Sequence, residues 1–397
     1  MDYTILRDLA IIIVFAKFFG LLARRVKAPQ VVGEIIAGLL IGPSVLHLVD
    51  QNEFITSMAE IGVILLMFSA GLETNLKDLL KTGFKAFLIA CAGVFVPLVG
   101  GTLLYMGFYG ASEIGTPEFY TAVFVGVILT ATSVSITVST LREMGKLKGE
   151  IGQTIMSAAI IDDVIGIIVL TFVIGFKNPD SNPGKVIINT VLFFVAALVI
   201  GWVIYKIFKL ADMRYPHTRR IPIMGLALCF CMAYVAETYF GIADITGAYV
   251  AGVVLCSIKD SSYIAEKMDT NSYMLFGPVF FASIGLKTNL TAIDGNLLLF
   301  CVCFVIVGLV CKIVGCGLVG KACRYSWHDS LKIGVGMMTR GEVALIVSQK
   351  GLSVGMIGSE YFAAVILLIV VSSISTPIIL KALYAADDKH PRQVHAK

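Results

Sequence analysis

Long apolar stretches, separated by short polar or charged turns, follow one another along almost the whole chain. Hydropathy and turn signals predict thirteen helical spans, numbered 1 to 13 in chain order. Their predicted limits are 3–23, 30–47, 55–72, 83–107, 118–142, 150–176, 185–209, 221–239, 243–258, 271–286, 293–320, 330–349 and 361–383. The pattern therefore predicts an all-α polytopic membrane protein with about 13 transmembrane helices.

Composition agrees with this pattern and excludes a soluble enzyme. The 397 residues are 57% hydrophobic and 15% charged, whereas soluble domains average about 25% charged residues. The nine cysteines lie mostly inside apolar spans and include no CxxC pair and no Cys/His spacing typical of a metal site. We therefore expect neither disulfides nor a resident metal or cofactor.

The positive charges predict the orientation of the chain. Most of the 31 Lys and Arg residues fall on one side if the N-terminus is placed outside. Cytoplasmic loops are enriched in these residues, so we expect an outer N-terminus and a cytoplasmic C-terminus. The first span ends in Arg24 and Arg25 rather than in a small-residue cleavage site, so we expect no cleaved signal peptide.

An internal repeat divides the spans into two halves. FSAGLETNL at 68–76 resembles ASIGLKTNL at 282–290, and GEIIAGLL at 33–40 resembles GAYVAGVV at 247–254, both at an offset of 214 residues. Spans 1–6 and 8–13 then form two six-helix repeats linked by span 7. Equivalent spans are seven apart, so the repeats are inverted, as is typical of secondary transporters with a site near the membrane midplane.

Two adjacent carboxylates, Asp162 and Asp163, lie in the middle of span 6. One charge at the centre of a membrane span costs at least about 2.5–3.5 kcal/mol on insertion scales. Two neighbouring carboxylates also repel one another when both are ionised. We therefore interpret the pair as a site for protons or cations.

Spans 5 and 12 are predicted to be interrupted helices that cross one another. Hydroxyl side chains crowd the middle of span 5, where they can satisfy backbone groups that a break sets free. They are Thr130, Thr132, Ser133, Ser135 and Thr137. In span 12, Arg340 and Glu342 flank Gly341 with the charge signs that favour the two helix ends, a contribution of about 0.3–1 kcal/mol each. We interpret both charges first as neutralisers of a break and second as direct ligands.

Lys312 lies deep in span 11, about 13 Å of helix before the span ends at Lys321. That distance is too long for the side chain to reach the membrane surface, so we expect an ion pair with Asp162 or Asp163. Lys17, in span 1, is instead expected to extend toward the cytoplasmic surface. Glu34, in the short span 2, fits equally a lining residue or a local hydrogen-bond acceptor.

Several motifs together resemble the monovalent cation:proton antiporter superfamily, and most closely its second group of bacterial sodium/proton antiporters and potassium efflux systems. They are ATSVSIT, the mid-span DD, the mid-span lysine, APQVVGEIIAGLLIGPS, GLETNL and TRGEVALI. The resemblance implies a dimerising scaffold and a core that moves as an elevator. The expected domains are scaffold helices at 1–80 and 216–290, core helices at 81–180 and 291–385, a linker helix at 181–215 and a cytoplasmic tail at 386–397.

The resemblance also implies roles for individual residues. Asp163 matches the aspartate that binds the cation and the proton in turn, and Asp162 matches the residue that pairs with Lys312. Oxygens near Thr132 and Ser133 would complete a Na⁺ site. A chain with both aspartates resembles the electrogenic type that moves two protons for each sodium ion.

The expected function is exchange of Na⁺, and also Li⁺, for protons across the bacterial inner membrane by a homodimer embedded in lipid. We expect no enzyme activity, no nucleic-acid partner and, because the sequence stops at Lys397, no nucleotide-sensing domain. A K⁺/H⁺ antiporter uses almost the same residues and stays an alternative. A cation channel and a sodium-coupled organic-anion symporter are further alternatives.

Overall fold

The computed structural model describes residues 3–25, 29–74, 83–133, 135–176, 183–214, 217–287 and 295–389. Within these ranges the regular structure is helical and contains no β-strand. The α-helices are α1 Thr4–Arg25, α2 Gln30–Ile41, α3 Glu53–Glu73, α4 Phe84–Tyr109, α5 Pro117–Thr130, α6 Ser135–Glu143, α7 Glu150–Gly175, α8 Pro183–Arg214, α9 Arg220–Phe240, α10 Asp244–Leu255, α11 Ser261–Asn271, α12 Gly277–Lys287, α13 Gly295–Ala322, α14 Trp327–Gly336, α15 Glu342–Ser353 and α16 Phe362–Lys389.

Seven stretches of the described residues are helical, long and apolar enough to cross a membrane. They lie in α3, α4, α7, α8, α9, α13 and α16, and three shorter apolar helices are α2, α5 and α10. The expected all-α membrane architecture is therefore present. The total of thirteen crossings stays a prediction. Helix α11 is an additional element in a segment that we expected to be a loop.

The chain divides into two compact units. Unit 1 comprises Met1–Leu80 and Ile167–Ile293, and unit 2 comprises Lys81–Gly166 and Asp294–Lys397. Each unit is thus assembled from two separate segments of the sequence. The scaffold and core roles that the resemblance implies are not decided by this division.

In unit 1, glycines allow two pairs of helices to cross with their backbones in contact. A methyl group at Gly38 in α2 would overlap the carbonyl oxygen of Ala282 in α12, and one at Gly252 in α10 would overlap that of Phe68 in α3. Gly38 and Gly252 are separated by the 214-residue offset found in the sequence. Small residues are the usual means by which membrane helices approach closely.

Lys17 has contacts within unit 1, and its extension toward the cytoplasmic surface stays a prediction. Its Nζ atom lies 3.6 Å from Oε1 of Glu34 in α2 and 3.3 Å from the centre of the Tyr273 ring. Glu34 is buried, with 3% of its surface exposed. The ammonium group thus has a carboxylate and an aromatic face within reach, but no hydrogen bond to a described residue.

In unit 2, both predicted helix interruptions are present. Span 5 consists of α5 and α6 with a break that includes 131–133, and span 12 consists of α14 and α15 with a break at 337–341. Around the breaks, α4 packs against α5 and α13, and α13 packs against α14 and α16. The two interruptions therefore lie among long helices that carry the remaining candidate residues.

Candidate functional site

Hydrogen bonds join the two helix breaks directly. The backbone N–H of Ser133 donates to the carbonyl oxygen of Thr339 over 2.9 Å. The hydroxyl of Thr137 donates to the carbonyl oxygen of Gly336 over 2.8 Å, and that of Thr339 donates to Thr376 Oγ1 over 2.9 Å. All three threonines are fully buried. Of the hydroxyls predicted to satisfy a broken helix, that of Thr137 thus joins span 5 to span 12, and the Thr339 hydroxyl joins span 12 to α16.

Arg340 is fully buried and closes the carboxyl ends of two half-helices. One guanidinium nitrogen donates to the carbonyl oxygen of Met338 over 3.0 Å, just after α14. The other donates to Leu129 in the last turn of α5 over 2.8 Å and to Gly308 in α13 over 3.1 Å. Carbonyls at a helix end lack partners within the helix and carry partial negative charge. The positive side chain therefore stabilises both breaks at once.

Glu342 is the first residue of α15 and carries its negative charge at the amino end of that helix, where the helix dipole favours it. The preceding residue, Gly341, lies tightly against Ser133. A Cβ atom at Gly341 would come within 2.6 Å of the Ser133 hydroxyl oxygen. The break in span 12 therefore needs glycine because the two interrupted segments approach so closely.

Asp162 is held through both of its carboxylate oxygens. Its Oδ1 atom lies 2.6 Å from Lys312 Nζ, and its Oδ2 atom accepts a hydrogen bond of 2.7 Å from the Thr132 hydroxyl. The Lys312 side chain is 0% exposed and that of Asp162 is 1% exposed. A buried ion pair needs such additional hydrogen bonds to offset the loss of hydration. Asp162 is therefore a fixed partner of Lys312.

Asp163 differs from its neighbour in every one of these respects. Successive residues of an α-helix point about 100° apart, so the two side chains leave α7 in different directions. Asp163 is half-buried and has no hydrogen bond or ion pair to any residue that the structure describes. The charged groups that act on it electrostatically are Asp162, Lys312 and Glu342. Its carboxylate is thus the one of the pair that can accept an added ion.

The structure brings every predicted site residue into unit 2: Thr132, Ser133, Asp162, Asp163, Lys312, Arg340 and Glu342. Thr132 contacts Asp162 rather than standing free beside Asp163. The Ser133 side chain lies against Gly341. Direct binding of a cation by Thr132 or Ser133 therefore stays a prediction. Among the described residues, no group of three or more His, Cys, Asp or Glu side chains could hold a metal ion.

Gly93 in α4 belongs to the site, and sequence reasoning missed it. A Cβ atom at this position would lie 2.8 Å from Oδ1 of Asp162 and 3.1 Å from both Lys312 Nζ and Cys316 Sγ. The backbone of α4 therefore forms one wall around the ion pair. The only sequence signal is a glycine in mid-span, which is weak evidence in a chain with 38 glycines.

The substitution Gly93→Ala is expected to slow cation transport about tenfold. The added methyl group forces Lys312 and Asp162 apart, and overpacking of this kind costs about 1–3 kcal/mol. Gly107→Ala is the matched control because Gly107 lies on the same helix with nothing within 4 Å of the new Cβ atom. Transport rates of reconstituted protein and melting temperatures test the effect. Equal rates in the two variants would show that the wall formed by Gly93 is unimportant.

Comparison with known proteins identifies relatives over nearly the whole chain. The family model of the sodium/hydrogen exchanger transmembrane region matches residues 10–386. The Na⁺/H⁺-K⁺ antiporter GerN of Bacillus cereus is 36% identical over 392 residues, covering 98% of each chain. A Na⁺/H⁺ antiporter of Enterococcus hirae is 33% identical over 383 residues, covering 94% of this chain and 96% of its own.

A solved structure shows the same fold. The sodium proton antiporter MjNhaP1 of Methanocaldococcus jannaschii superimposes with a TM-score of 0.74 at 17% identity, covering 96% of this chain and 100% of its own. The family match spans most of the sequence, and the apolar helices are those of a multi-pass membrane protein. The chain therefore belongs to the sodium/hydrogen exchanger family, within the monovalent cation:proton antiporter superfamily.

Proposed function

We propose that this protein exchanges Na⁺ for protons across the cell membrane, and that Asp163 binds the two ions in turn. One observation carries the proposal: both oxygens of Asp162 are held by Lys312 and Thr132, while the adjacent Asp163 has no such partner among the described residues. The activities stated for the relatives from Bacillus cereus and Enterococcus hirae support it.

Charge balance explains why the exchange is obligatory. The ionised Asp162–Lys312 pair is neutral, so an ionised Asp163 leaves the site with one net negative charge. The charge of Asp163 is costly to move through a low-dielectric barrier without a counter-ion, and either a proton or a Na⁺ ion compensates it. The empty, charged site does not cross, so each cation that leaves on one side is replaced by a proton on return.

Lys312 supplies the step that makes the exchange electrogenic in this proposal. Two carboxylates and an ammonium group this close titrate as one unit. When Na⁺ binds at Asp163, Lys312 releases its proton, and the sodium-loaded site then carries one net negative charge. When Na⁺ leaves, one proton binds Asp163 and a second returns to Lys312 and restores its ion pair with Asp162, so the proton-loaded site is neutral. Two protons then move for each sodium ion, and the same site also accepts Li⁺.

We further propose that unit 2 is the moving body of an elevator mechanism, because it contains every charged residue of the site. Unit 1 would then form the static scaffold and the interface of a homodimer. The N-terminus would lie outside and the C-terminus in the cytoplasm, in keeping with the distribution of Lys and Arg.

K⁺/H⁺ exchange is the second candidate. The name of the Bacillus cereus relative includes K⁺ beside Na⁺, and the carboxylate and hydroxyl oxygens of this site suit either ion. The same charge balance at Asp163 applies to both ions. The number of oxygens around the bound cation decides between them.

Purified protein reconstituted into liposomes tests the proposal. We expect a Na⁺ gradient to drive proton movement, Li⁺ to do so as well, and K⁺ to be less effective. Clamping the voltage across the membrane should accelerate an electrogenic exchange. Cation flux with no proton movement under an imposed pH gradient would indicate a channel and contradict the proposal, whereas proton movement with K⁺ alone would favour the second candidate.

A further inference from the structure

Unit 1 contains a cavity of about 710 Å³ that the exchange reaction does not use. Its polar lining comes from α1, α2, α11 and the turn before α12, and includes Lys17, Arg24, Gln30, Glu34, Ser272 and Tyr273. Ser272 and Tyr273 lie in a π-helical turn, Ser272–Phe276. Such turns are rare and occur frequently at functional sites.

Two buried donors line this cavity without a hydrogen-bond acceptor in the described part of the chain. They are the Lys17 ammonium and the hydroxyl of Ser272, a residue with 5% of its surface exposed. Lys17 has only the 3.6 Å contact with Glu34 and the face of Tyr273. A buried hydroxyl without an acceptor is costly, and the Lys17 ammonium group has three N–H donors that its ion pair does not use up, so their common position indicates a ligand with acceptor oxygens.

Further charges indicate that the ligand also carries a positive group. Arg24 lies seven residues after Lys17, on the same face of α1, and adds a second cationic group to the lining. On α11, Glu266 and Asp269 line the cavity with carboxylates. A cavity that is lined by both cations and anions is more complementary to a zwitterionic ligand than to a ligand that carries only negative charge.

The remaining lining is apolar and suits a hydrocarbon chain. It includes Val31, Leu66, Met274, Pro278 and Phe281. The cavity thus extends from polar residues near the ends of α1 and α11 to apolar side chains of α2, α3 and α12. Free phosphate would use only the donors, and a quaternary ammonium headgroup cannot donate hydrogen bonds to carboxylates.

We infer that this cavity binds a phospholipid with a primary amine headgroup, its phosphate at Lys17, Arg24 and Ser272 and its ammonium group at Glu266 and Asp269. One acyl chain lies along the apolar wall. The inference does not depend on the proposed exchange reaction, because all of these residues belong to unit 1.

Thermal unfolding of the full-length protein in detergent tests the inference. Phosphatidylethanolamine, phosphatidylcholine, phosphatidylglycerol and inorganic phosphate are titrated separately. We expect a saturable rise in melting temperature with phosphatidylethanolamine that the other three additions do not match. In Lys17→Gln, the concentration that gives half of this rise should increase about tenfold, because a charge-assisted contact with the phosphate is lost.

Lys206→Gln is the matched control, since Lys206 also lies over an aromatic ring, 3.5 Å from the centre of Trp202, but does not line the cavity. The melting temperature of Lys206→Gln should rise with phosphatidylethanolamine as that of the wild type does, and so should that of Asp163→Asn. Equal stabilisation by phosphatidylcholine, or by phosphate alone, would overturn the inference. If Lys17→Gln does not fold, Arg24→Gln and Ser272→Ala replace it, and an unchanged lipid response in both would overturn the inference as well.

Discussion

Asp163→Asn is expected to abolish Na⁺-driven proton movement in liposomes and to reduce it to the background of protein-free vesicles. An amide keeps the size of the side chain but can neither bind a proton at neutral pH nor supply a negative charge to a cation. Because both oxygens of Asp162 are held by Lys312 and Thr132, the site then has no free carboxylate that can bind Na⁺ and a proton in turn. Fluorescence of a pH indicator inside the vesicles measures the loss.

Asp50→Asn is the matched control, since Asp50 is exposed in the loop between α2 and α3. It should exchange at the wild-type rate. The Asp163→Asn protein should also melt near the wild-type temperature, because Asp163 has no hydrogen bond or ion pair in the described residues to lose. Exchange retained by Asp163→Asn would refute its role as the ion-binding carboxylate.

Arg340→Leu is expected to destabilise the protein by about 3–5 kcal/mol, the range for removing one partner from a buried charged contact. The side chain is fully buried and donates hydrogen bonds to carbonyl oxygens of Met338, Leu129 and Gly308. Leucine fills part of the volume and leaves the carbonyls at two helix ends without a donor. A fall in melting temperature of the purified protein measures the effect.

Arg25→Leu, at the exposed end of α1, is the control and should change the melting temperature little. Arg340→Lys separates charge from geometry, because an ammonium group keeps the charge but cannot place two nitrogens on separate carbonyls. The melting temperature of Arg340→Lys should lie between those of the wild type and Arg340→Leu. A melting temperature of Arg340→Leu equal to that of the control would show that other groups satisfy the two helix ends.

Sequence reasoning was most successful where a charge in an apolar span left few alternatives. The helix beyond Lys312 is too long for its side chain to reach water, so a carboxylate partner was required, and Asp162 lies 2.6 Å away. The breaks in spans 5 and 12 were predictable because hydroxyls, glycine and opposite charges cluster there. The free-energy cost of a charge in an apolar span can be recognised from the sequence alone.

The direction in which a side chain points is not visible in sequence, so the partners of a polar side chain could not be predicted in full. The sequence did not indicate that the Thr132 hydroxyl donates to Asp162. It also did not indicate that Lys17 contacts Tyr273, a residue more than 250 positions away. Gly93 went unnoticed because its importance lies in how closely α4 approaches another helix.

The glycine crossings of unit 1 also determine when this protein can assemble during synthesis. Gly38 in α2 packs against α12, which leaves the ribosome more than 200 residues later. At translation rates of about 5–20 residues per second, that interval is on the order of 10–50 s. Helices α2 and α3 must therefore wait in the membrane without α12 and α10 while the first segment of unit 2, Lys81–Gly166, is made.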